Sequence, residues 1–375
     1  MILDTIRSIY KTNLGVQADE KVLVFTDLPS PVETADDADC CRRDGLRYMS
    51  LLTAEVGKSF ARKIIYREYP ALGSHGAEPP EELWETAFGK KVIAKFRRKG
   101  LMSPLLNKEL SDSGLKEVED ILINSDTDAV GAVIALSNYS TSHTKFRDLL
   151  TRIRGCRYAS MPLFDVSMLE GSMHVDWKAL EKRTKSLASV VNKADRVEIK
   201  TPNGTHLNLS KTGRKALSDT GILTRKGAFG NLPAGEVFFA PVEGMAEGRL
   251  VLDWAPTREL KSPVTILVKK GEAADVSGEE PFAESLRTKI GEHIGNRNIA
   301  ELGIGTNPRA ERPDNILESE KIIGTIHIAL GDNSSFGGKV KTPFHQDFVF
   351  FKPTVTLFQA NGEKVVILEK GIPKF

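Results

Sequence analysis

Cysteine is scarce in this chain, with three in 375 residues: Cys40, Cys41 and Cys156. Adjacent cysteines rarely bridge each other, and the count is odd, so no disulfide framework is expected. Without a CxxC pair, the thiols read as packing residues of a reducing compartment. Long apolar runs are also missing. The longest, Ala129 to Leu136, is too short to span a bilayer. The opening MILDTIRSIYKTNLG has an early aspartate and no apolar stretch of secretory type, so a cytoplasmic protein is expected, with no membrane partner. Neither sign of charge prevails: 52 basic residues meet 50 acidic ones, for a net charge of +2. That balance gives no reason to expect a nucleic-acid partner. The basic run Lys95 to Lys99 is local and reads as the solvated end of a helix. A phosphate-binding glycine loop is absent too. Gly303 and Gly305 lack the third glycine and the following helix of a dinucleotide fingerprint.

What is present is an ordinary globular composition, 40% hydrophobic and 27% charged, long enough for two domains. The first half alternates strand and helix patterns. Residues 2–14 read as a helix and KVLVFTD, ending at Asp27, as a buried parallel strand. A helix over residues 36–60 and a strand over residues 63–69 follow. A single helix is predicted over residues 81–99, opened by Pro79 and Pro80. Residues 129–138 read as a strand, 142–153 as a helix, 157–162 as extended, and 177–193 as an amphipathic helix. This is the pattern of an α/β domain with a mainly parallel sheet. The character then changes. RVEIK and THLNL alternate apolar and polar residues around Pro202-Asn203-Gly204, which signals a hairpin. Strand-like runs dominate from there, interrupted by one helix over residues 280–294, and a last hairpin turns at Asn361-Gly362. The expectation is an α/β domain over residues 1–193 and a β-rich domain over residues 194–375.

Chemistry concentrates in GTIHIALGDNSSFGGKVKTPFHQDFVFF, residues 324–351. His327 lies in one apolar run, and His345 and Asp347 in another. On a strand, a His-x-Asp pair points both side chains to one face. A second histidine alongside would complete a cluster of imidazole and carboxylate donors, suited to zinc, cobalt, manganese or iron(II). Glu236, in NLPAGEVFFAP, and Glu301, in NIAELGIGTNP, each lead into an apolar run, where an unpaired carboxylate is costly. The other histidines (75, 143, 174, 206 and 293) have no partner at a telling spacing and read as surface or packing residues.

The phrases NLPAGEVFFAP, NIAELGIGTNP, GTIHIALG and FHQDFVF, in this order, resemble the aminopeptidase T / aminopeptidase S family of metallo-aminopeptidases. The resemblance is strong over residues 225–351 and weak elsewhere. It implies a β-rich C-terminal catalytic domain, a homodimer and a centre of two divalent metal ions, zinc or cobalt before manganese or iron. The implied ligands are Glu236, Glu301, His327, His345 and Asp347. One departure matters. Where the family carries a tyrosine seven residues after the TIH histidine, this chain has Ser334, which is too short for the same contact.

Two functions are expected from these readings. In the first, a dimetal aminopeptidase hydrolyses N-terminal residues from peptide substrates, with Glu301 bridging the ions or carrying a proton to the leaving amine. The alternative is a mononuclear non-haem iron(II) ring-cleaving dioxygenase using His327, His345 and Asp347. Relatives of the aminopeptidase T fold include dihydroxypyridine dioxygenases, so the resemblance permits it. A metal-binding protein without activity completes the set.

Overall fold

The computed structural model describes residues 1–30, 33, 37–125 and 128–375. Two compact units emerge. The first comprises Met1–His174 and Gly221–Pro233, the second Val175–Thr220 and Ala234–Phe375. The helix Trp177–Val191 therefore belongs to the second unit, ahead of residue 193, and the chain returns once to the first. No helix among the described residues is long and apolar enough to cross a membrane.

The first unit is built on an all-parallel sheet of five strands. In spatial order they are Lys63–Pro70, Lys21–Leu28, Ala132–Ala135, Arg157–Ser160 and Phe229–Asn231. The central strands are buried on both faces, as their unbroken Val, Ile, Leu and Ala runs require. Local chemistry starts the helices. Thr144 caps Lys145–Arg152 by accepting the Arg147 N–H, and Asp176 caps Trp177–Val191 through Lys178 and Ala179. The helix predicted over residues 81–99 is in fact two, Glu81–Phe88 and Lys90–Arg98. Gly89 parts them with φ +94°, a conformation that glycine adopts without a Cβ clash. The helix expected from residue 36 runs from Asp37 to Gly57; residue 36 itself lies outside the described residues. The basic run ends its helix as expected, with Arg97 paired to Glu85 at 2.6 Å and Lys99 to Glu117 at 2.5 Å.

The second unit is β-rich. An eight-stranded antiparallel sheet carries the predicted hairpin, Ala194–Lys200 with His206–Ser210, and the last one, Thr354–Gln359 with Lys364–Glu369. A second antiparallel sheet has five strands in the order His345–Phe350, Ile326–Gly331, Ile299–Gly305, Glu236–Phe239 and Leu217–Asp219. Alternate residues of both sheets share one apolar core, among them Ile199, Leu250, Ile266, Leu302, Ile328 and Phe348. The strand period of two then forces the intervening residues of the five-stranded sheet onto its opposite face.

Candidate metal centre

The opposite face of the five-stranded sheet collects every site residue predicted from the sequence. Register explains why. Glu301 pairs with Ala329, and Ala329 with Asp347, so the three share a row. Gly303 pairs with His327, Gly305 with Glu236, and Gly331 with His345. Neighbouring strands lie about 4.8 Å apart, so carboxylates two strands away start about 10 Å from each other. The small side chain of Ala329 lets them converge above it.

The donor atoms of Glu301, His345 and Asp347 lie within 4.8 Å of one another. His345 Nε2 is 3.4 Å from Asp347 Oδ2 and 3.5 Å from Glu301 Oε2. The other nitrogen of His345 is 2.7 Å from the Asp332 carbonyl. A carbonyl only accepts, so Nδ1 donates, and Nε2 is turned toward the carboxylates, where it holds a proton in the absence of a metal and can become a ligand once that proton leaves. His327 stands behind Glu301, with Nε2 3.5 Å from Glu301 Oε1 and 3.5 Å from Glu236 Oε2. It is 1% exposed. Its Nδ1, like Glu236 Oε2, has no hydrogen-bond partner among the described residues.

Residues that the sequence reading passed over complete the surroundings. Lys321 is fully buried, and its ammonium lies 2.7 Å from Glu236 Oε1 and 2.8 Å from Glu320 Oε2. In the sequence it heads an apolar run and looks like an exposed strand start; only the fold brings Glu236 to it. Gly303 leaves the space that the His327 ring fills, since a Cβ there would fall 1.9 Å from His327 Cε1. Phe336 meets His345 edge to face at 6.1 Å and Phe238 at 5.7 Å. Ser334 is tied to the Asp332 carboxylate, which its hydroxyl contacts at 2.9 Å. Beside His345 a cleft of about 440 Å³ opens between Phe282, Leu286, Ile316 and Phe344. Other histidines serve locally: His206 meets Glu198, His174 meets the Thr5 hydroxyl, and His75 and His293 accept backbone N–H groups.

The electrostatics suit a site that could hold a cation. Burial pushes the Glu301 carboxyl up, and Glu320 reaches about 7 for the same reason. Burial also opposes the charge on Asp347, but His345 outweighs it and holds that carboxyl low. Lys321 loses solvation, yet Glu236 and Glu320 keep it charged well above its ordinary value. Burial likewise opposes charge on the imidazoles, but the surrounding carboxylates raise His327 to about 9 and His345 to about 10.

This fixes the sign of a pH effect. A metal bound by His345 would have to displace its proton, so its affinity should rise with pH toward about 10 and weaken about tenfold per unit below, for each proton displaced. Calorimetric titration in buffers of different ionisation enthalpy should register that release. Equal affinity at pH 6 and pH 8 would count against it. The donor set, one imidazole with two carboxylates and a second imidazole behind, suits iron(II), manganese or zinc.

Comparison with known proteins bears on the functional expectations. A family model described as NicX: 2,5-dihydroxypyridine 5,6-dioxygenase matches residues 170–368, more than half of the chain. The 2,5-dihydroxypyridine 5,6-dioxygenase of Pseudomonas putida KT2440 is 26% identical over 183 residues. That alignment spans 44% of this chain and about half, 52%, of the relative. The solved structure of 2,5-dihydroxypyridine dioxygenase from Pseudomonas putida KT2440 superposes with a TM-score of 0.68 at 17% identity, covering 99% of this chain and 96% of that one. Wild-type AmpT from Thermus thermophilus superposes at 0.57 with 16% identity, covering 100% and 99%. At these identities the two superpositions establish the fold alone.

The aminopeptidase expectation is therefore corrected: the chain is not placed among the hydrolases or metalloproteases, since the matching family and the curated relative carry a dioxygenase description. The AmpT likeness is one of fold. Two physical facts agree with the correction: Ser334 offers no aromatic hydroxyl over the cluster, and one oxygen of Glu236 is committed to Lys321. By its sequence from residue 170 onward, the chain belongs to the NicX family of 2,5-dihydroxypyridine 5,6-dioxygenases.

Proposed function

We propose that the chain is a ring-opening dioxygenase, dependent on a single iron(II), that acts on a dihydroxylated pyridine or a closely related hydroxylated aromatic ring. The observation that carries this reading is the convergence of Glu301, His345 and Asp347 within 4.8 Å, inside the segment that matches the family. These three side chains are the proposed ligands. His327 holds Glu301 from behind, and Asp332 fixes the orientation of His345 through its carbonyl. Three protein ligands leave open positions for substrate and dioxygen. When bound, iron(II) supplies the one-electron chemistry that dioxygen needs in order to react with a closed-shell ring.

The chain's own residues do the rest. Phe282, Leu286, Ile316 and Phe344 give the cleft beside His345 apolar walls suited to a flat ring. Phe336, edge-on to His345, limits water on that side. Both atoms of dioxygen end in the opened product, and one ring carbon–carbon bond breaks.

The test is oxygen uptake by protein purified and loaded with iron(II) under anaerobic conditions. With 2,5-dihydroxypyridine, oxygen consumption and loss of ring absorbance are expected mole for mole. Full iron occupancy without oxygen uptake, across a panel of dihydroxylated pyridines and benzenes, would refute the reading.

A further inference from the structure

Glu236 differs from the other predicted metal ligands in that its carboxylate is engaged by a lysine ammonium. Its Oε1 lies 2.7 Å from the ammonium of Lys321, and Glu320 holds the same ammonium at 2.8 Å. Lys321 is fully buried, so its charge has no access to water and is answered by these carboxylates. The other oxygen of Glu236 faces His327 Nε2 at 3.5 Å, and His327 in turn faces Glu301. The cluster is thus divided. One part, Glu301, His345 and Asp347, has converging donors; the other, Glu236 and Glu320, surrounds an ammonium fixed to the chain.

We propose that Lys321 supplies, from within the chain, the positive charge that a second metal ion would otherwise bring, and so restricts the centre to one ion. A divalent ion ligated by Glu236 would stand one carboxylate away from a permanent positive charge, in surroundings where water cannot screen the repulsion. Lys321 is then a specificity-determining residue: it sets the number of metal ions without touching the bound one. Glu236 is its counter-ion and not a ligand. The inference rests on the single-iron centre proposed above and adds the residue that sets its ion count.

Metal counting tests it directly. Full-length protein is stripped with chelator, titrated with cobalt(II) or zinc(II), freed of unbound ion and analysed for ions per chain. Wild-type protein is expected to hold one ion. Lys321→Met is expected to hold two, because it frees Glu236 and removes the repelling charge. Adding Glu236→Gln to that variant should restore one. Two ions in the wild type, one ion in Lys321→Met, or two in the double variant would each overturn the inference while leaving the metal centre standing. If Lys321→Met does not fold, Glu236→Gln alone decides. As a counter-ion, Glu236 can be replaced with less than about a tenfold change in Kd, whereas any larger loss would mark it as a ligand and overturn the inference. No ion bound to wild type or any variant would instead bring down the metal centre itself, and this inference with it.

Discussion

Replacing His345 with alanine is expected to abolish metal retention and to lower oxygen-dependent turnover by about a thousandfold, which at about 1.4 kcal/mol per factor of ten corresponds to about 4 kcal/mol. The size of the effect follows from its position. His345 Nε2 lies 3.4 Å from Asp347 and 3.5 Å from Glu301, so its removal leaves two carboxylates and no imidazole among the three converging donors. The fold should survive. The ring is 30% exposed and lies outside the apolar core, so the thermal midpoint should move by only a few degrees, as for other substitutions away from the core. Metal per chain and oxygen uptake are measured together. A variant that keeps its ion and loses only turnover would remove His345 from the ligands and leave it a role toward the substrate.

Gly303→Ala is expected to destabilise the protein by about 1–3 kcal/mol, the usual cost of forcing extra volume into a packed interior. It should also weaken metal binding by about 10–100-fold, the range seen when a group supporting a ligand is disturbed. The added methyl would sit 1.9 Å from His327 Cε1 and 2.0 Å from Nε2. That ring cannot swing aside, because it is 1% exposed and held between Glu301 and Glu236. Moving it would carry Glu301 out of line with His345 and Asp347. Combining Gly303→Ala with His327→Ala removes the clash, so the pair should be more stable than the sum of the single variants allows, by about 0.5–3 kcal/mol. Chemical denaturation and metal titration on all three variants measure both effects. Strict additivity would show that Gly303 does not position the ring.

The sequence announces the sheet face of the site because strands impose a period of two. His345 and Asp347 are two residues apart, and Glu301 and His327 lie in runs whose alternate residues, Leu302, Ile304, Ile326 and Ile328, are unmistakably core. What it hides depends on distance along the chain. Lys321 looks like a solvated lysine until Glu236, 85 residues earlier, is brought against it. Gly303 looks like part of a glycine-rich strand end, and its reason appears only when Gly303 is paired with His327. The motif phrases point to a hydrolase because one fold hosts more than one chemistry, and a likeness in fold does not carry the reaction with it. Ser334 is the departure visible in the sequence, whereas the engagement of Glu236 by Lys321 shows only in the fold. The missed helix break has a local cause: Gly89 is one residue in an otherwise continuous amphipathic pattern, and pattern alone does not reveal its backbone angle.

The parallel sheet of the first unit is completed by Phe229–Asn231, a strand that follows a long excursion through residues 175–220. During synthesis, Arg157–Ser160 must therefore wait at an open sheet edge until that strand leaves the ribosome. An open edge is a template for wrong partners, including the same edge of another nascent chain. A truncation after His174 would make the exposure permanent, so the N-terminal half, cut at its apparent end, is a poor candidate for a soluble fragment.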